Sequence, residues 1–290
     1  MTDITPSSSG GSGGGSGGSS GGSTGLPAIS LRDATKRFPT KDGGSFTAIR
    51  DVTLDVGAGE FVAVVGPTGC GKSTTLSLVS GLEPASDGTV EVAGRPVTSI
   101  PDGVGYMFQG DAVLPWKNVL DNVALGLRFR GQDRRTAEER ARDWIDRVGL
   151  GGFEDRYPHQ LSGGMRKRVA MAQSLIGEPS ILLLDEPFGA LDVQTREHMQ
   201  DELLDLWSGT GAAVVFVTHD LTEAIALADT VVVMTAGPAT VKDSVPVTLE
   251  RPRKVEEIRL TPAFTDLYRR VWESLRDEVE LTRARGARVA

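Results

Sequence analysis

The chain has 290 residues, 39% of them apolar, and a formal net charge of −8. That much apolar material buries a substantial core, as one large domain or two small ones, whereas the acidic balance argues against a nucleic-acid-binding surface as the main business. One cysteine, Cys70, excludes an intramolecular disulfide and suits a reducing compartment. No apolar run approaches the roughly 18 residues of a membrane span, and the N-terminus has no charged-then-apolar signal pattern, so a soluble, cytoplasmic chain is expected.

Taken in chain order, Ser7 to Gly25 is almost entirely Ser and Gly. Such a stretch cannot bury enough apolar surface to offset the cost of ordering it and is predicted to be disordered. Its ends would lie roughly 25 Å apart, long enough for a tether; an inert appended tail reads equally well. From Ile29 onward, short apolar runs alternate with longer amphipathic ones. "FVAVV" (Phe61 to Val65), "ILLLD" (Ile181 to Asp185), "AVVFV" (Ala213 to Val217) and "TVVVM" (Thr230 to Met234) read as strands buried on both faces. Parallel sheets flanked by helices need such runs, which makes the class α/β. A long helical insertion separates the first two. In it Thr136 and Glu139 are predicted to form a capping box, with Ala141, Trp144, Ile145 and Val148 on one apolar face. Near the end, Thr261 and Pro262 open a last helix whose apolar face is Phe264, Leu267, Val271 and Leu275. No internal repeat is evident.

The strongest chemical signal is "GPTGCGKST", Gly66, Pro67, Thr68, Gly69, Cys70, Gly71, Lys72, Ser73 and Thr74, directly after the strand Phe61 to Val65 and before a helical run. It fits the phosphate-loop pattern G-x-x-x-x-G-K-[ST] at every fixed position, in the strand–loop–helix context that the motif requires. Its glycines let backbone N–H groups turn inward around phosphates, Lys72 neutralises the β and γ charges, and the Ser73 hydroxyl is placed for Mg²⁺. Cys70 reads as a small filler. The second signal, "ILLLDEP", puts Asp185 and Glu186 at the carboxyl edge of the sheet, where open α/β folds bind ligands. Neighbours on an extended chain point different ways, so Asp185 can hold Mg²⁺ through water while Glu186 acts as a general base. A third stretch, "LSGGMRKR", looks like a spare phosphate site. Arg166, Lys167 and Arg168 lie at a helix start, where cations are unfavourable without a nearby anion.

"LSGGM" (Leu161, Ser162, Gly163, Gly164, Met165) about two dozen residues before "LLLDEP" resembles the signature of ABC transporter ATPases. With the phosphate loop, the likeness covers about Ile29 to Pro246. "YMFQ" resembles the Q-loop, with Gln109; "GALD" the D-loop, with Asp192; "VTHD" the switch histidine, with His219. The resemblance implies a mostly parallel core sheet, an antiparallel β subdomain and a helical subdomain of about 110–165. The cassette would span 27–250, between a tail of 1–26 and a C-terminal helical extension of 251–290. It implies ATP and Mg²⁺ as cofactors. Gln109 would reach Mg²⁺ or the attacking water, His219 the γ-phosphate, and Phe38 the adenine ring, with Phe46 the competing aromatic. It also answers the spare site: Ser162, Gly163 and Gly164 would face the γ-phosphate held by a second, head-to-tail subunit. Arg166, Lys167 and Arg168 are left facing solvent, that partner or acids of the insertion.

Stretches after Gln109, around the D-loop and after His219 look like the ATPase subunits of nitrate, sulfonate and taurine importers, as does the tail "RPRKVEEIRLTPAFTDLYRRVWESL". Trp116, in "LPW", is either an interface anchor for a membrane subunit or a core residue of the insertion. The partners implied are a second ATPase subunit, separate integral membrane permease subunits and, indirectly, an extracytoplasmic substrate-binding protein, placing the chain at the cytoplasmic face of the membrane. Competing readings are a soluble ABC-type ATPase, a lipid or lipoprotein transport branch, and a phosphoryl-transfer enzyme, which has no need of "LSGGM".

Overall fold

A computed structural model describes residues 26–110 and 112–286; the Ser/Gly tail predicted before residue 26 lies outside the described residues. The chain begins with a long antiparallel hairpin, β1 (Ile29–Pro39) and β2 (Ser45–Val56). There follow the fully buried β3 (Phe61–Val65), α1 (Lys72–Val79) and the strands β4 (Asp87–Val92) and β5 (Arg95–Pro96). Next come β6 (Val104–Met107), then the helical insertion, α2 (Val119–Phe129) and α3 (Arg134–Arg147). The chain returns through α4 (Gly163–Leu175), β7 (Ile181–Asp185), α5 (Val193–Ser208), β8 (Ala213–Val217), α6 (Leu221–Leu227), β9 (Thr230–Met234) and β10 (Val241–Pro246). It ends in α7 (Val255–Ile258) and α8 (Pro262–Gly286).

Two sheets result, one in the order β2-β1-β4-β5 and the other β10-β9-β3-β8-β7-β6. In the second, β9, β3, β8, β7 and β6 are parallel and β10 closes one edge antiparallel. The period-2 geometry of a strand explains why the four apolar runs do not alternate with polar residues. Phe61, Ala63 and Val65 enter the core on the helical side, while Val62 and Val64 enter a second core shared with the antiparallel sheet. Each large side chain fully buried this way contributes about 1.5–3 kcal/mol.

The four predicted strands coincide with β3, β7, β8 and β9, and the stripe Ala141, Trp144, Ile145 and Val148 is buried. The capping box does not form. Asp133 caps α3 by accepting from the Thr136 backbone N–H; hydrogen bonding with the Thr136 side chain and then its backbone holds the carboxyl below the usual range, and Glu139 pairs instead with Arg135 at 2.9 Å. A cap must accept an N–H from about three residues ahead, and Asp133 meets that spacing nearly one turn before Thr136. The last helix behaves as predicted: Thr261 accepts from the Phe264 N–H, and Phe264, Val271 and Leu275 are buried. Glu278 of α8 accepts from the Ala236 N–H at 2.9 Å and from Lys242 at 2.7 Å, fastening α8 beside the β9–β10 turn. No helix among the described residues is long and apolar enough to cross a membrane.

Candidate functional site

Because β3 and β7 run parallel, the loops that leave them emerge at the same edge of the sheet. After β3, the chain turns through Gly66–Gly71 into α1. Gly71 has a φ of +120°, and a Cβ there would lie 2.5 Å from the Ile49 side chain, so only glycine passes. Lys72 opens α1 and is buried, its ammonium donating to the Gly66 and Pro67 carbonyls at 2.9 and 3.1 Å. These oxygens hold the cation over the loop. Thr68, Gly69 and Ser73 are exposed, Thr74 is half-buried, and Cys70 is buried with its thiol pushed up by desolvation, as expected of a filler.

The two acids at the end of β7 have different surroundings. Asp185, 7% exposed, accepts from the Ser73 hydroxyl at 2.9 Å; burial raises its carboxyl above the usual range, against the lowering effect of that hydrogen bond. Glu186 leaves the strand with a φ of +44° while its N–H donates to the Val217 carbonyl. For a residue with a Cβ this left-handed conformation costs about 1–2 kcal/mol. Its Oε2 receives the Gln109 side-chain amide at 3.2 Å and lies 3.2 Å from His219 Nδ1. Gln109, Glu186 and His219 therefore form one cluster, and Ser73 with Asp185 an adjacent one. Of the three candidate Mg²⁺ ligands, Ser73 and Asp185 touch each other, whereas Gln109 is engaged with Glu186. An exposed hydroxyl beside a buried carboxylate is an oxygen donor pair of the kind a hard divalent cation takes.

Sequence reasoning missed Glu223, which supports the His219 loop. Burial raises its carboxyl, and it accepts from Thr218 at 2.6 Å and Gln200 at 3.0 Å, while Asp220 caps α6. Only its place at i+4 from His219 hinted at this. Asp192 caps α5 through the Thr195 N–H, which lowers its carboxyl. α8 walls a groove of about 560 Å³ shared with Thr68 and His219, with Tyr268 and Trp272 on the helix side.

The start of α4 is built differently from the expectation for its cations. Ser162 caps the helix, accepting from the Met165 N–H at 3.2 Å; Ser162 and Gly163 are exposed, Gly164 and Met165 half-buried, and Leu161 buried. Arg166 donates to the Leu161 carbonyl, Lys167 to the Gln109 carbonyl, and Arg168 to the Val148 carbonyl and the Glu202 carboxylate. All three cations thus turn back into their own chain. The helix presents a hydroxyl and backbone N–H groups at its tip, without their charges.

Trp116 is 71% exposed, which removes the core alternative. Its loop is pinned from below by Asn122, fully buried in α2. Asn122 accepts from the Leu114 N–H and donates to the carbonyls of Leu114, Lys117 and Asn118 at 2.9–3.1 Å. Replacing it by Ala takes the partner from the Leu114 N–H and the Lys117 carbonyl, while the Leu114 and Asn118 carbonyls keep the backbone N–H groups of Lys117 and Asn122. Asn122→Ala is expected to cost about 2–4 kcal/mol, read from urea unfolding at unchanged m-value. Phe38 is half-buried with Lys36 Nζ 4.9 Å from its ring centre; Phe46, opposite it across the hairpin, is 54% exposed.

A doubly flanked parallel sheet with a phosphate loop after one strand and paired acids after another defines a P-loop nucleoside triphosphatase. Comparison narrows the class. The family model described as ABC transporter matches residues 49–189. The chain is 43% identical over 241 residues to the taurine import ATP-binding protein TauB of Burkholderia thailandensis, covering 82% of this chain and 93% of that one. It is 42% identical over 251 residues to an ABC transporter ATP-binding protein of Methanocaldococcus jannaschii, covering 87% and 92%. Among solved structures, the ATP-binding cassette MJ0796, described as dimeric and bound to ADP and Pi, superposes with a TM-score of 0.69 at 29% identity, covering 77% of this chain and all of that one. The chain belongs to the ATP-binding proteins of ABC transporters; it binds and hydrolyses ATP.

Proposed function

We propose that this chain is the ATPase subunit of an importer for a small solute of the nitrate, sulfonate or taurine class, working as a dimer on separate permease subunits at the cytoplasmic face of the membrane. The observation that carries the catalytic part is the convergence of Gln109 and His219 on Glu186, one residue from the Asp185–Ser73 pair. The name of the taurine import relative and the dimeric description of MJ0796 support the transport and assembly parts. An extracytoplasmic binding protein would select the solute.

In this reading the Gly66–Thr74 loop cradles the phosphates and Lys72 swings its ammonium from the Gly66 and Pro67 carbonyls to them. Ser73 and Asp185, with Gln109 nearby, would hold Mg²⁺, which would supply charge neutralisation to the phosphates. Glu186 takes the proton of the attacking water, Gln109 places that water, and His219 donates to the γ-phosphate. An aromatic of the β1–β2 hairpin, Phe38 or Phe46, stacks on adenine. Ser162, Gly163 and Gly164 close over the partner's γ-phosphate from a helix N-terminus, where an anion is favoured, and Asp192 lies at the same junction. Binding supplies the closing free energy of the pair, and hydrolysis resets it. The cassette of residues 27–250, its helical subdomain of about 110–165 and the extension of 251–290 belong to this reading.

A rigidly presented, exposed aromatic is what an interface anchor requires, and Trp116 sits on a loop fixed by Asn122. Affinity purification of the tagged chain from detergent-solubilised membranes is expected to recover a multi-spanning subunit. Trp116→Ala should lose it, with ATP affinity within twofold of the parent. Recovery of a monomer that phosphorylates a metabolite would overturn the transporter reading.

A further inference from the structure

Lys167 is unusual in position and in cost. It is the fifth residue of α4, near the positive end of the helix dipole, and is only 3% exposed. Burying an ammonium is unfavourable unless hydrogen bonds compensate, and an apolar side chain of similar length would fill the same space without that cost. The Lys167 ammonium donates to the main-chain carbonyl of Gln109 at 2.9 Å, and the Gln109 side chain donates to Glu186 at 3.2 Å. A helix whose tip is Ser162 and Gly163 is thereby tied, through one buried cation, to the loop that holds the hydrolytic carboxylate. Arg166 and Arg168 turn to the Leu161 carbonyl and to the Val148 carbonyl with Glu202, so this tie belongs to the middle cation of the three.

We infer that Lys167 is a positioning residue for hydrolysis: it fixes the Gln109 main chain relative to α4, so that Gln109 meets Glu186 only when α4 is correctly seated. The inference rests on the roles proposed above for Gln109, Glu186 and the tip of α4. Seating of that tip on the partner's ATP is then transmitted to this chain's own catalytic cluster through a contiguous, named set of hydrogen bonds.

The test is a double-mutant cycle on the purified full chain, with steady-state ATPase rates and equilibrium binding of a fluorescent ATP analogue as readouts. Lys167→Met is expected to lower kcat on the order of 10- to 100-fold while nucleotide affinity stays within twofold, because the phosphate loop is untouched. Lys167→Arg, which keeps a charged donor, should recover a measurable part of that rate. In the Gln109→Ala background Lys167→Met should change kcat by less than about twofold, since two residues acting through one contact are not additive. Full additivity, an unchanged kcat in Lys167→Met, or parallel losses of kcat, affinity and melting temperature would each overturn the inference. Should Lys167→Met fail to fold, Lys167→Gln carries the same cycle. Glu186→Gln separates the levels. If it retains turnover, the catalytic reading itself fails; if it is inactive while Lys167→Met behaves as the parent, only the present inference does.

Discussion

Glu186→Gln is expected to keep ATP binding, reduce turnover by about 10²–10⁴-fold and accumulate an ATP-bound dimer. The amide has the size of the carboxylate, so neither the backbone at φ +44° nor the space shared with Gln109 and His219 is disturbed. What is lost is the capacity to take a proton from water. The groups proposed to bind nucleotide lie elsewhere: Lys72 on the Gly66 and Pro67 carbonyls, and Ser73 paired with Asp185. Closure driven by ATP therefore proceeds, and the step that would reopen the pair is blocked. Size-exclusion chromatography with and without ATP, alongside phosphate release, checks both halves. Monomer alone in ATP together with persistent turnover would show that another group is the base.

Lys72→Ala should fail one step earlier. The ammonium is buried and already desolvated, held on the Gly66 and Pro67 carbonyls, so the free protein positions it before nucleotide arrives. Hydrogen bonds to charged groups are worth about 1.5–3 kcal/mol, which places the loss of ATP affinity at roughly 10- to 150-fold. The variant should consequently need roughly 10- to 150-fold more ATP than the parent to form the ATP-dependent dimer. Titration calorimetry reads the affinity directly, and a dissociation constant within twofold of the parent would contradict the assignment. The contrast between the two variants is diagnostic: one binds without turning over, and the other binds far more weakly.

How much of this site was legible in the linear sequence depends on how local each feature is. Continuous apolar runs of five residues rich in Val, Ile or Leu read as strands buried on both faces, so β3, β7, β8 and β9 were readable, and with them the edge from which Gly66 to Thr74 and Asp185–Glu186 project. The phosphate loop was readable because its chemistry lies within nine consecutive residues. Motif order carried Gln109, Asp192 and His219, while the meeting of Gln109 and His219 at Glu186 needed three separate loops brought to one edge. The cap of α3 was misplaced by nearly one turn, since Asp133, Thr136 and Glu139 all suit a helix start and only backbone geometry chooses.

What the sequence by itself determined is the enzyme class: a strand, a glycine-rich turn and a lysine at fixed spacing make a phosphate cradle whatever surrounds them. Tertiary structure alone decided the fate of the side chains whose partners come from distant segments. Arg166, Lys167 and Arg168 looked like free cations awaiting an anion, yet each is answered within its own chain, Lys167 by a carbonyl 58 residues away. Asn122, which belongs to none of the motifs, holds the Trp116 loop. The physical reason is common to both: a buried polar group must find a partner, and which partner it finds is fixed by packing, not by its neighbours in sequence.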